Sequence, residues 1–123
     1  RRKVHWNWEE LFFSKVRHQD AWMYAMVRAG CPRAMCYGRI QVKGGHVSLE
    51  YLERTPYARG IRGLTAPTAF QFARAVALLL DLAEVRLNEP FPHLVHYYER
   101  VLEGAIRHPA VGPVKYLSVK VSP

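Results

Sequence analysis

The stretch MCYGRIQVKGGHVSLEYLER, residues 35–54, decides the predicted fold. On each side of Gly44-Gly45 hydrophobic residues alternate with polar ones, as in strands that have one buried face. Two consecutive glycines accept the positive φ angles of a tight hairpin turn. With a two-residue turn Ile40 pairs with Leu49, and the aliphatic side chains share one face. The stretch therefore predicts a β-hairpin with this register.

The other face of the hairpin is basic and aromatic, and Glu50 is its only acidic residue. Residues 57–64 are predicted to form a third strand and add further arginines. Lysine and arginine neutralise phosphates while aromatic rings stack on bases, so this mixture is typical of surfaces that bind single-stranded nucleic acid. A solvated strand face is the alternative, since arginine and tyrosine are ordinary there. The candidate binding residues on these strands are Tyr37, Arg39, Lys43, Arg54, Tyr57, Arg59 and Arg62.

Helical patterns surround these strands. Residues 8–30, 67–87 and 92–107 carry hydrophobic side chains at helical spacing. Residues 114–121 alternate and predict a short edge strand. With the strands of residues 35–64, these segments predict one domain of the α+β class. Its small twisted antiparallel sheet is packed by helices on one face and open to a ligand on the other.

Three phenylalanines are further candidates for stacking on bases. Phe12 and Phe13 are adjacent on a predicted helix, so both cannot face one core. Phe70 falls outside the predicted buried stripe of its helix, which includes Phe72. The alternatives are a helix packed between two surfaces for the first pair, and a dimer contact for Phe70.

The composition supports a basic globular domain. The chain has 123 residues, a formal net charge of +8 and 50% hydrophobic residues, which argues against disorder. A basic balance suggests a polyanionic partner. No apolar run has the length of a membrane helix and no signal-peptide pattern follows Arg1. Two cysteines do not make a disulfide framework, which favours the reducing cytoplasm.

Motifs for catalysis and metal binding are lacking. There is no nucleophile elbow, phosphate-binding glycine loop or zinc signature. Cys31 with Cys36, and His93 with His96, are too few ligands for a metal site. We therefore expect no enzyme activity, no metal and no cofactor, with a metal-independent nuclease that uses His46 or His96 as a remaining alternative.

The stretch Ile40–Glu53, followed by Arg59-Gly60-Ile61-Arg62-Gly63-Leu64-Thr65 and by Pro67 at a helix start, resembles the transcriptional positive cofactor four family. The resemblance implies curved antiparallel strands and a dimer that binds single-stranded DNA. The N-terminal helical segment and the helix after Pro90 depart from that family. With them the chain looks more like the ThermoDBP type of archaeal single-stranded DNA-binding protein.

The ThermoDBP resemblance implies a phenylalanine-lined cleft flanked by basic residues. Phe12, Phe13, Phe70 and Phe72 would line it, between Arg39, Lys43, Arg54, Arg59 and Arg62. The leucine zipper that this type carries at its C-terminus is not found before Pro123, which is a further departure.

The sequence thus predicts a homodimeric protein that binds single-stranded DNA with little sequence preference. DNA replication and repair are the processes expected to use it, and the cytoplasm, in association with the nucleoid, is its expected location. An RNA-binding module is the first alternative. A structural or protein-interaction domain, in which the apolar tail forms an interface, is the second.

Overall fold

The computed structural model describes residues 20–28, 30–54 and 65–121. Within them six strands form one sheet in the order β1-β2-β3-β4-β6-β5. All neighbouring pairs are antiparallel except β3 and β4, which are parallel. The α+β class predicted from the sequence is confirmed. In chain order the elements are β1 Ala21–Arg28, β2 Cys31–Gln41, β3 His46–Arg54, α1 Thr65–Leu79, β4 Glu84–Asn88, a 3₁₀ turn Pro92–Leu94, α2 Val95–Val101, β5 Ile106–His108 and β6 Tyr116–Lys120.

Helix α1 connects the two parallel strands, because parallel neighbours need a long crossover connection. Its buried residues include Ala69, Ala73 and Ala77, whose exposed fractions are all 0%. Small side chains let the helix axis come close to the sheet. The helix ends before Asp81, whose positive φ of 56° reverses the chain toward β4.

The strands present one apolar and one polar face. In register, Val47, Val85 and Val119 form one row across β3, β4 and β6, and all three are buried. A second apolar row, Leu49–Leu87–Leu117, follows two residues on. The alternate row is Ser48–Arg86–Ser118 and lies on the opposite face. The apolar rows form one core with α1 and with Val95 and Leu102.

The hairpin exists, but its predicted register is wrong. Gln41 pairs with His46 and Ile40 pairs with Val47, so that the turn contains four residues, 42–45. The predicted register differs from this one by two residues. A slip of two keeps each side chain on its own face, so the hydrophobic alternation cannot distinguish the registers. Val42, predicted to be inside, is 71% exposed in the turn.

Several predicted helices are shorter than expected or are strands. Residues 21–28 form β1, and the end of the predicted helix 67–87 forms β4. The predicted helix 92–107 ends early, because Gly104 has a φ of 81° and the chain continues into β5. Strand β6 lies between β4 and β5 and is not an edge. Residues 8–19 and the predicted third strand at 57–64 lie outside the described residues.

Candidate functional site

A cleft opens where the parallel strands β3 and β4 separate. They pair only over four residues each, His46–Leu49 with Glu84–Leu87. Beyond Leu49, β3 pairs with β2 alone, and Asn88 pairs with β6. The open cleft has a volume of about 440 Å³, including its solvent-filled part. It is lined by Leu49, Glu50, Leu52, Leu87, Asn88, Glu89, Pro90, Phe91 and Tyr98.

A β-bulge lies at the point of separation. Leu49 pairs with Gly38 and Tyr51 pairs with Tyr37, so Glu50 is the extra residue with no partner in β2. A bulge bends the strand that carries it and increases its twist. On the other side of the cleft, β4 ends at Asn88, and Glu89 follows with a φ of 48°. Both strands therefore leave the ladder at the same level.

Glu50 and Asn88 contact each other across the gap. Asn88 Nδ2 donates a hydrogen bond of 2.5 Å to Glu50 Oε2, and both side chains are half-buried. Glu89 is held through its backbone N–H, which donates to the carbonyl of Lys115 at 2.7 Å. Among the described residues, the charged side chains that line the cleft are those of Glu50 and Glu89, although the chain has a net charge of +8. The described lining of the cleft is thus negatively charged.

Helix α2 contributes Tyr98 to the cleft. Burial raises the pKa of the Tyr98 phenol, and the nearby Tyr97 and Cys36 raise it further. The rings of Tyr97 and Tyr98 are 5.5 Å apart. Because its ordinary pKa is already about 10, Tyr98 keeps its proton at neutral pH. Tyr98 and Glu50 line the same cleft, which therefore contains a protonated phenol and a carboxyl group.

The N-terminus of α1 lies at the same end of the sheet, since α1 follows β3 and must return to the start of β4. Thr65 Oγ1 is buried there, and within the described part of the chain it has no hydrogen-bond partner. The first turn contains no acidic residue. The partial positive charge of a helix N-terminus favours an anion. In the sequence, the residues just before this turn include Arg59, Gly60, Arg62 and Gly63.

Of the residues predicted to bind nucleic acid, the structure describes the side chains of four, and these four do not form one surface. Tyr37 is 1% exposed and belongs to the buried residues. Arg39 donates to Asp20 at 2.5 Å, and this contact raises its pKa. Lys43 is exposed in the hairpin turn. Phe70 is buried against the core, whereas Phe72, predicted to be buried, is 38% exposed and its ring lies 5.2 Å from that of Trp22.

The other predicted site residues cannot be placed. Phe12, Phe13, Tyr57, Arg59 and Arg62 lie outside the described residues, as does the side chain of Arg54. In the part of the chain that is described, no group of three or more His, Cys, Asp or Glu residues could hold a metal ion. No helix there is long and apolar enough to cross a membrane.

Sequence reasoning missed the three residues that define the cleft. Glu50 was visible as the only acidic residue on the hairpin's outer face, but that face was interpreted through its arginines. Asn88 follows the alternating segment Glu84–Leu87, which a helical pattern concealed. Tyr98 lies in the predicted helix 92–107, where it fits the hydrophobic spacing and gives no sign of a site. Nothing in the local sequence indicates that these residues meet.

The sequence matches no model of a protein family, and a search of curated proteins finds no similar sequence. Solved structures do match. Tetrahymena GCN5 superposes with a TM-score of 0.65 at 9% identity, over 94% of this chain and 77% of the other. The PaiA N-acetyltransferase from Thermoplasma acidophilum, in complex with coenzyme A, has a TM-score of 0.66 at 18% identity, over 93% and 71%. The spermidine/spermine N-acetyltransferase SpeG from Vibrio cholerae has a TM-score of 0.61 at 17% identity, over 99% and 83%.

These matches overturn the functional predictions. The similar structures are acetyltransferases, not single-stranded DNA-binding proteins, so both resemblances stated from the sequence are wrong. The predictions of DNA or RNA binding and of a protein without enzyme activity are contradicted with them. The same matches remove the support for a homodimer, for roles in replication and repair, and for association with the nucleoid. The fold of this chain is the one shared by GCN5-related N-acetyltransferases (GNAT).

Proposed function

We propose that this protein is an N-acetyltransferase that moves an acetyl group from acetyl-coenzyme A to an amine. The observation that carries the proposal is the cleft between β3 and β4, with Glu50 and Tyr98 lining it. The similarity to acetyltransferase structures supports the reaction class, and the coenzyme A complex among them supports the donor. The negative charge of the cleft supports a basic acceptor.

The residues present fit coenzyme A. Its long arm contains amide groups, and the separated edges of β3 and β4 present backbone groups that no other described strand pairs with. Its phosphates are anionic, and the first turn of α1 combines a helix N-terminus, the buried Thr65 hydroxyl and the absence of acidic residues. When bound, the coenzyme supplies a thioester that makes the acetyl carbon reactive toward an amine.

The side chains of the cleft can perform the proton transfers of this reaction. As the carbon–nitrogen bond forms and the carbon–sulfur bond breaks, the amine loses one proton and the sulfur gains one. Glu50 accepts the proton from nitrogen at a carboxylate oxygen, directly or through one water. Asn88 holds that carboxylate by its hydrogen bond to Oε2. Tyr98 donates its phenolic proton to the departing sulfur, so that charge does not accumulate there.

The direct test is thiol release. The purified protein is incubated with acetyl-coenzyme A and a panel of primary amines, diamines and lysine peptides, and free thiol and acetylated product are followed together. We expect turnover with at least one amine class. If calorimetry detects no binding of coenzyme A and no amine gives thiol release, the proposal is overturned.

A matched pair of variants tests the role of Tyr98. Tyr98→Phe removes the acid and should lower kcat about 10²-fold or more, which is the usual contribution of a general acid. Tyr97→Phe makes the same chemical change on the neighbouring ring and should leave kcat within about twofold. Equal effects of the two variants would contradict the assigned role.

A further inference from the structure

We propose that Arg107 is a positioning residue for catalysis, and that its ion pair with Glu99 fixes helix α2 so that Tyr98 stays in the cleft. The inference rests on the proposed function for the role of Tyr98, but the contact itself is geometric. Glu99 is the next residue after Tyr98, and Arg107 lies on β5. The pair therefore joins the element that carries the acid to the edge of the sheet.

The geometry of the pair is that of a specific contact. Arg107 Nε donates to Glu99 Oε2 and Arg107 Nη2 donates to Glu99 Oε1, both at 2.8 Å. Two parallel hydrogen bonds of this kind restrict the relative orientation of the two planar groups as well as their distance. The pKa of Glu99 is lowered, first by the hydrogen bond from Arg107. His96 Nδ1 lies 3.5 Å from the same Oε1 atom, on the exposed side of the helix.

Helix α2 is short, so its orientation depends on tertiary contacts. It contains seven residues, about two turns, and its N-cap residue Leu94 makes no side-chain capping hydrogen bond. Helices of this length are not stable by themselves. Val95 at its start and Leu102 just after its end are buried in the core. Tyr98 packs against the core, and the Glu99–Arg107 pair adds a directed contact at the next residue, which restricts rotation of the helix about its axis.

The position of Arg107 suits this role. In the register of β5 with β6, Arg107 is opposite Leu117, which is fully buried on the face covered by the helices. Arg107 therefore points to the face where α2 packs. Its neighbour His108 points to the other face, where its ring stacks on Tyr116 and Nε2 lies 2.8 Å from Ser118 Oγ. The short strand is thus anchored from both faces, which makes it a firm attachment for α2.

The experiment measures Tyr98 directly. The protein is labelled with tyrosine carrying ¹³C at the phenol carbon, the Tyr98 signal is assigned with Tyr98→Phe, and it is titrated with base in the wild type and in Arg107→Gln, Arg107→Lys and Arg100→Gln. Arg100 is exposed on the same helix and its loss changes the net charge equally. We expect Arg107→Gln to shift or broaden the Tyr98 signal and to lower its titration midpoint, since the phenol becomes better solvated. The Tyr98 signal and titration midpoint of Arg100→Gln should match those of the wild type. Those of Arg107→Lys should lie between the wild type and Arg107→Gln.

Kinetics give the second measurement. Arg107→Gln should lower kcat about tenfold or more, in line with the cost of a small misplacement of a catalytic group, with the Kd for coenzyme A within about twofold of the wild type. An unchanged Tyr98 signal and titration in a folded Arg107→Gln protein would overturn the proposal. If that variant does not fold, a wild-type Tyr98 signal in Arg107→Lys, which lacks the bidentate geometry, would overturn it equally. Absence of turnover in the wild type would refute the proposed function alone, because the spectroscopic test does not depend on activity.

Discussion

The substitution Thr65→Val separates the stability of the free protein from its affinity for coenzyme A. Thr65 Oγ1 is buried and, among the described residues, unpaired. Leaving a buried hydroxyl without a hydrogen bond costs about 1–3 kcal/mol. Valine has nearly the same shape and no polar atom, so it removes that cost. We expect the free energy of unfolding to rise by about 1 kcal/mol, which corresponds to a Tm increase of about 4 °C for a domain of this size.

The same change should weaken coenzyme binding. If the hydroxyl hydrogen-bonds a phosphate at the N-terminus of α1, its loss costs about 1.5–3 kcal/mol, a roughly tenfold to hundredfold increase in Kd. Thermal unfolding and calorimetry with coenzyme A measure the two effects. Thr68→Val is the control, because Thr68 is exposed on the same helix and neither quantity should change appreciably. A Thr65→Val protein that is less stable and binds coenzyme A as tightly as the wild type would refute the reasoning.

Three further predictions follow from contacts in and around the cleft. Glu50→Gln keeps the shape of the side chain but removes the base, so kcat should fall about 10²-fold or more at neutral pH while the affinity for coenzyme A is retained. Turnover at the wild-type rate would exclude Glu50 as the base. Gly38→Ala should destabilise the fold by about 3 kcal/mol in chemical denaturation, because a Cβ there would overlap the Ser48 carbonyl oxygen and the Trp22 indole. Gly44→Ala is the control and should cost much less, because its Cβ would come too close only to the His46 ring, which can move, and would make an ordinary contact with Gln41 Cβ. The pKa of Glu99 is lowered in the folded protein, so its contribution to the free energy of unfolding is complete above the ordinary glutamate pKa of about 4.3 and is lost as the pH falls through the folded value. Glu99→Gln should therefore reduce the loss of unfolding free energy on the acid side of a pH series. If the wild type and the variant lose it in parallel, the ion pair is not the cause.

The charge of the chain shows how sequence reasoning went wrong about function. A net charge of +8 suggests a polyanion partner when each arginine is counted as available. In the structure Arg39 is paired with Asp20, Arg86 with Glu84 and Arg107 with Glu99. In two of these pairs, Arg39–Asp20 and Arg107–Glu99, the partners are 19 and 8 positions apart in sequence, and composition contains no information about them. The net charge likewise does not reveal that Glu50 and Glu89 line one cleft, because the fold determines which charged side chains share a surface.

The hairpin, the α+β class and the inward positions of Val47 and Leu49 could be predicted from the sequence alone. These properties follow from short-range periodicity, since side chains alternate with a period of two in strands and recur about every 3.6 residues in helices. Periodicity cannot distinguish two structures that share the same pattern of hydrophobic residues. Registers that differ by two residues bury the same side chains, which is why Ile40 faces Val47 although Leu49 was expected. Phe70 is buried and Phe72 is exposed, the reverse of the prediction, because α1 packs on the sheet along its alanines.

The location of the candidate site depends on long-range contacts. Glu50 and Asn88 are 38 positions apart in sequence and meet because α1 carries the chain back to lay β4 parallel to β3. Tyr98 reaches the same cleft from a helix that tertiary contacts hold in place. Each of these contacts depends on how strands and helices are ordered in space, and local propensities are the same for many such orders. A site assembled from three separate elements therefore leaves no periodic signal in the chain that forms it.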